Sequence, residues 1–221
     1  MIKLIELYSY VQGSPILTIN QDSIWLNNLF VEGIEDKYTF PYSRISIDTS
    51  INWGKLEGRV TKIQNDIEIC KSFDLEKYLS MDSNQNKSKF LLDYLYLQLK
   101  DFDFGVSELY WDRAYHHCIN NKYQFKKRSK KKNEILKKMK GWSCYLYAEI
   151  DIATFKLFIV VEDTINNKSQ RQLIATPPRH YFNNFDGYKL KVNADNTIDV
   201  WDASYYKDNF KLEGIELDLD I

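Results

Sequence analysis

The chain has 221 residues, of which 44% are hydrophobic and 28% charged, which excludes general disorder and allows a sizeable buried core. Its formal net charge is −1, and it holds only three histidines and three cysteines. That inventory argues against a disulfide framework, a zinc ribbon and histidine-rich catalysis, so no cofactor and no metal site is expected and the weight falls on a binding protein rather than an enzyme.

The first ten residues carry one early positive charge, Lys3, and Glu6 interrupts what would be the apolar stretch of a secretion signal. No apolar run reaches the ~20 residues that a membrane-spanning helix needs. A cytoplasmic chain with no membrane partner is expected. Cys70, Cys118 and Cys144 are widely spaced and read as small buried hydrophobes.

Residues 1–73 read as strands: Ile45, Ile47, Thr49 and Ile51 alternate with Ser46, Asp48 and Ser50, the period of a half-buried strand. The runs 59–64 and 67–71 flank Asn65 and Asp66 and predict a hairpin. From about 85 to 101 the period changes to that of an amphipathic helix, with Leu91, Tyr94, Leu95 and Phe102 on its apolar side. Beyond Gly105, the residues Trp111, Ala114, Tyr115, Cys118 and Ile119 fit a second helix at every position of the i, i+3, i+4, i+7, i+8 template. Ile135, Leu136 and Met139 resume that pattern, which extends the helical block to 140, with Gly141 as its stop.

Alternation returns at Trp142. Cys144, Leu146, Ala148 and Ile150 predict one strand, Phe155, Leu157, Ile159 and Val161 a second, and residues 170–176 a third, ending at Pro177-Pro178. Residues 188–192 and 197–201 form a further hairpin, and Ile215, Leu217, Leu219 and Ile221 alternate with Glu216, Asp218 and Asp220 in a closing strand with an acidic face. The expectation is a single α+β domain over 1–221: N-terminal antiparallel strands, a central pair of amphipathic helices, and a C-terminal antiparallel meander with hairpins.

One stretch departs from the average composition. Residues 122–140 hold ten basic side chains against the single Glu134, a charge of +9, so the rest of the chain carries −10 to reach the total of −1. A molecule so polarised is suited to recognising a charged partner. The partner-binding candidates are Lys126, Lys127, Arg128, Lys130, Lys131 and Lys132 on a basic helix, and Glu216, Asp218 and Asp220 on the acidic strand. A stiff loop, Pro177-Pro178-Arg179-His180-Tyr181, adds Arg179, His180 and Tyr181 as binding candidates. The structural alternative for all three groups is an ordinary solvated surface.

Glu108, Asp112 and His116 fall at i, i+4, i+8 and would line one helix stripe, but a metal site needs further ligands that the sequence does not supply. Phosphate-loop, dinucleotide-fold, nucleophile-elbow and zinc-protease motifs are absent from the sequence.

A chain of this length without a signal, with mixed strands and helices, rich in Tyr, Asn, Lys and Ile, resembles bacterial toxin-immunity proteins as a type. That resemblance implies an intracellular, non-catalytic protein that blocks a cognate toxin by direct contact. Nucleic-acid binding through the basic helix 122–140 is the alternative, with Tyr115, Tyr123, Phe125 and Trp142 as stacking groups. Metal-dependent hydrolysis by the Glu108, Asp112, His116 stripe ranks third. Oligomeric state and strand order stay open.

Overall fold

A computed structural model describes residues 4–9, 17–34, 40–50, 56–128, 142–163, 165, 167–175, 188–192, 197–202, 210–211 and 215–216. The α+β class is borne out, and the chain divides into two compact units, residues 1–125 with 151–153, and residues 126–150 with 154–221.

The first unit is built on a four-stranded sheet of order β1-β2-β4-β3, formed by β1 (Leu4–Tyr8), β2 (Arg44–Asp48), β3 (Val60–Ile63) and β4 (Asp66–Cys70). The predicted hairpin is β3 and β4, whose turn carries Gln64 at a φ of 53°. The expectation of antiparallel N-terminal strands is corrected: β1 pairs with β2, and β2 with β4, in parallel, and only β3 runs antiparallel. The cause is α1 (Leu17–Glu32), a helix in the region read as strands, which carries the chain back so that β2 starts at the same end as β1.

Helix α1 has no polar stripe because both its sides are covered. It packs on β1, while α3 (Asn84–Asp101) and α4 (Glu108–Asn120) pack on it. Ile19, Trp25, Leu26, Leu29 and Phe30 are all buried. Of its polar residues, Asp22, Ser23 and Asn27 are buried as well: Ser23 Oγ donates to Leu7 O (2.8 Å) and Asp22 Oδ2 accepts from Tyr78 Oη (2.5 Å), while the half-buried Asn20 donates through Nδ2 to Ser9 O (3.1 Å). Tyr78 sits on the short α2 (Leu75–Leu79).

Strand β2 is likewise buried on both faces, Ser46 and Asp48 included, rather than half-buried. Helix α3 matches its predicted span and α4 contains the predicted Trp111–Ile119 pattern, and each starts on a serine cap, Ser83 and Ser107, whose hydroxyl accepts a backbone N–H of the first turn. Cys70 and Cys118 are buried free thiols, as expected.

Helix α4 ends at Asn120, and the part of the predicted helical block over 129–140 lies outside the described residues. Lys122 and Tyr123 adopt positive φ values of 53° and 57°, their N–H groups bond back to Ile119 O and Cys118 O, and the chain leaves as β5 (Phe125–Arg128). The basic helix is therefore corrected to a strand over Lys126, Lys127 and Arg128. Two successive left-handed residues end a helix whatever the charges that follow.

In the second unit, the predicted meander is present as β6 (Trp142–Ile150), β7 (Phe155–Asp163) and β8 (Lys168–Ala175), antiparallel throughout, in a sheet of order β5-β6-β7-β8. Strands β9 (Tyr188–Val192) and β10 (Thr197–Asp202) form the expected hairpin, and β11 (Phe210–Lys211) and β12 (Ile215–Glu216) both pair with β10.

Candidate functional site

Alternation along β6 and β7 sorts their side chains onto two faces. Leu146, Ala148, Ile150, Phe155, Leu157, Ile159 and Val161 make one face, which is buried, and Phe158 and Val160 are buried on the other. The other face is set by register: Ser143 opposes Glu162, Tyr145 opposes Val160, Tyr147 opposes Phe158 and Glu149 opposes Lys156, while Val160 opposes Arg171 of β8. A shift in the pairing at Leu157/Phe158 sets the position of Arg171 over the rings of the neighbouring strands.

Two clusters of the same chemistry result. In the first, the Arg128 guanidinium lies 3.6 Å from the Tyr145 ring centroid, and Tyr145 Oη donates to Glu162 Oε1 (2.5 Å). Ser143 Oγ donates to Glu162 Oε2 (3.0 Å), and Arg128 Nη1 stands 4.0 Å from that oxygen. In the second, the Arg171 guanidinium lies 3.6 Å from the Phe158 centroid and 5.4 Å from that of Tyr147, and donates to Glu149 Oε1 (2.9 Å). Each cluster thus holds a cation against a ring face and beside a carboxylate, an arrangement that restricts the long arginine side chain before any partner arrives.

The electrostatics follow from these contacts. The Tyr145 hydroxyl holds the Glu162 carboxyl below its usual range, with help from Ser143 and Arg128. Burial and the bond to Glu162 push the Tyr145 phenol up to about 12. Burial, then the Glu149 charge, raises that of Tyr147. The arginine side chains remain 50% (Arg128) and 43% (Arg171) exposed, so a partner can reach the outer side of each guanidinium.

Comparison with known proteins found no matching family model, no matching curated protein and no matching solved structure. Function must be read from the chemistry of the chain itself.

Of the residues singled out in the sequence, Arg128 alone joins this face. Lys126 is exposed and Lys127 half-buried on the same strand. Lys130, Lys131, Lys132, Arg179, His180, Tyr181, Asp218 and Asp220 lie outside the described residues, and Glu216 is placed only by its backbone, opposite Thr197. The sequence reading missed Tyr145, Tyr147, Phe158, Glu162 and Arg171. Their signal was the polar half of the same alternation whose apolar half defined the strands.

The Glu108, Asp112, His116 stripe has a different use. Lys100 Nζ of α3 reaches Glu108 Oε2 (2.8 Å) and Asp112 Oδ1 (3.5 Å), and Tyr96 Oη donates to Asp112 Oδ1 (2.5 Å). The Tyr96 hydroxyl, then Lys100, keeps the Asp112 carboxyl below its ordinary range. Glu108 and Asp112 join α4 to α3, and among the described residues no group of three or more His, Cys, Asp or Glu side chains could hold a metal. No helix among them is long and apolar enough to cross a membrane.

Proposed function

We propose that this chain is a non-catalytic binding protein that recognises another protein through the arginine and aromatic face of β6, β7 and β8. In its specific form, the reading is of a cytoplasmic immunity protein that neutralises a cognate toxin by direct contact.

The observation that supports recognition is the repeated cluster of arginine, ring and carboxylate. Arginine and tyrosine are the residue types enriched where binding energy concentrates, and pre-ordered side chains lose less entropy on binding. The same clusters weigh against the nucleic-acid alternative. The Tyr145 and Phe158 ring faces already carry guanidinium groups at 3.6 Å, so a base would have to displace them, and Glu149 and Glu162 repel phosphates.

The test is co-expression with the products of the neighbouring genes, followed by size-exclusion chromatography. A stoichiometric complex is expected, and Arg128→Glu with Arg171→Glu should weaken it at least thirtyfold, about 2 kcal/mol, the threshold of a dominant interface contact. Failure to recover a stoichiometric partner, or a complex indifferent to the double variant, defeats the reading. Oligonucleotide binding that weakens steeply with salt and disappears on reversing Lys126 and Lys127 would install the alternative instead.

A further inference from the structure

The first unit holds a recess of about 190 Å³ on the polar face of its sheet, lined among others by Arg44, Ser46, Thr61, Ile63, Asp66 and Glu68. Register explains the gathering: Arg44 and Ser46 of β2 stand opposite Asp66 and Glu68 of β4, which in turn face Ile63 and Thr61 of β3. Arg44 and Asp66 are direct cross-strand neighbours of opposite charge, yet each is engaged elsewhere. Arg44 gives Nε (2.9 Å) and Nη2 to Glu6 Oε1, and Asp66 Oδ1 accepts from Ser43 Oγ (2.9 Å). Glu68 Oε2 accepts from Tyr8 Oη (2.6 Å).

All three charged groups of the recess are thus held in place by residues that do not line it. These bonds leave Arg44 Nη1 and one oxygen of each carboxylate uncommitted, and no ion pair to Asp66 or Glu68 is present among the described residues. Lys62, the nearest lysine on β3, points its ammonium at the rings of Tyr42 (5.6 Å) and Phe102 (6.0 Å).

We infer that this recess binds a small zwitterion of the α-amino-acid class. The ligand's carboxylate meets Arg44 Nη1, its ammonium bridges Asp66 and Glu68, and a short side chain rests on Ile63. Adjacent strands lie about 4.8 Å apart, so a cation and an anion on neighbouring strands match a ligand whose two charges are separated by one carbon. The volume suits a molecule of that size, since a cavity of about 150 Å³ accommodates benzene. Net charge selects the class as well. With Arg44 offset by Glu6, the recess is negative and rejects simple carboxylates.

The test is titration of the full chain with glycine, L-alanine, L-serine and L-valine, followed through amide resonances of Ser46, Thr61, Ile63 and Glu68. At least one should shift them saturably, and ethylammonium and acetate, each keeping one half of the contact, should bind at least tenfold more weakly. Arg44→Gln and Asp66→Asn should each cost a further factor of ten or more. The inference is overturned if none of the four gives saturable shifts up to about 50 mM, a range that covers millimolar affinities. It is equally overturned if acetate or ethylammonium binds as well as the best amino acid, or if both variants bind like the parent chain.

Discussion

Gly33 closes α1 at the point where α4 crosses it, and a methyl group there would test how tightly the two helices are packed. A Cβ built on Gly33 meets the Ala114 Cα and the His117 Cβ at 2.7 Å each, about 0.7 Å short of the 3.4 Å at which ordinary contact begins. The Ala114 atom is backbone, so relief requires α1 and α4 to part rather than one side chain to turn. Beneath that contact Phe30 of α1 stacks on Trp111 of α4 at 6.5 Å, and both are buried, so separation opens space in the core. Overpacking of this kind costs about 1–3 kcal/mol. An opposing gain of about 0.4–1 kcal/mol comes from the reduced freedom of alanine in the unfolded chain. At the midpoints of the two ranges the steric effect wins, and Gly33→Ala should destabilise the first unit by roughly 1.3 kcal/mol. Hydrogen exchange resolved by segment is the assay, because it reads α1 and α4 apart from the sheet of the second unit. Unchanged or increased protection of those helices in Gly33→Ala would refute the close packing.

Three further outcomes are expected. Tyr78→Phe deprives the buried Asp22 carboxylate of the hydroxyl donor at 2.5 Å and should destabilise the first unit by about 1–3 kcal/mol in urea denaturation; a loss under about 0.5 kcal/mol would mean the bond is dispensable. Tyr145→Phe removes the main cause of the low Glu162 titration midpoint, which should rise towards 4.5 in a carboxyl NMR titration. The sign follows from linkage: a depressed folded-state value adds stability above the ordinary glutamate range and loses it as pH falls through the depressed value, so the variant also loses acid stability. Arg128→Ala and Arg171→Ala, both on exposed side chains, should each change stability by no more than about 1–2 kcal/mol, so that any larger loss of partner binding is assignable to the interface itself.

The sequence alone carried the α+β class, both amphipathic helices and the meander, because α3, α4 and β6 have one buried side and write its period into the residues. Trp111, Ala114 and Cys118 are buried as their spacing requires, and so are Leu146, Ala148 and Ile150. In a helix covered on both sides, that period disappears. That is why α1, with Asp22, Ser23 and Asn27 inside, was unreadable, and with it the parallel pairing it imposes on β1 and β2. The basic run gave its charge but not its backbone: after the positive φ of Lys122 and Tyr123, its described part, Phe125–Arg128, is a strand. Only tertiary structure decides the two sites proposed here. Arg171 meets Phe158, and Arg44 stands beside Asp66, through strand register between segments far apart in the chain, and register is fixed by pairing and bulges rather than by local composition.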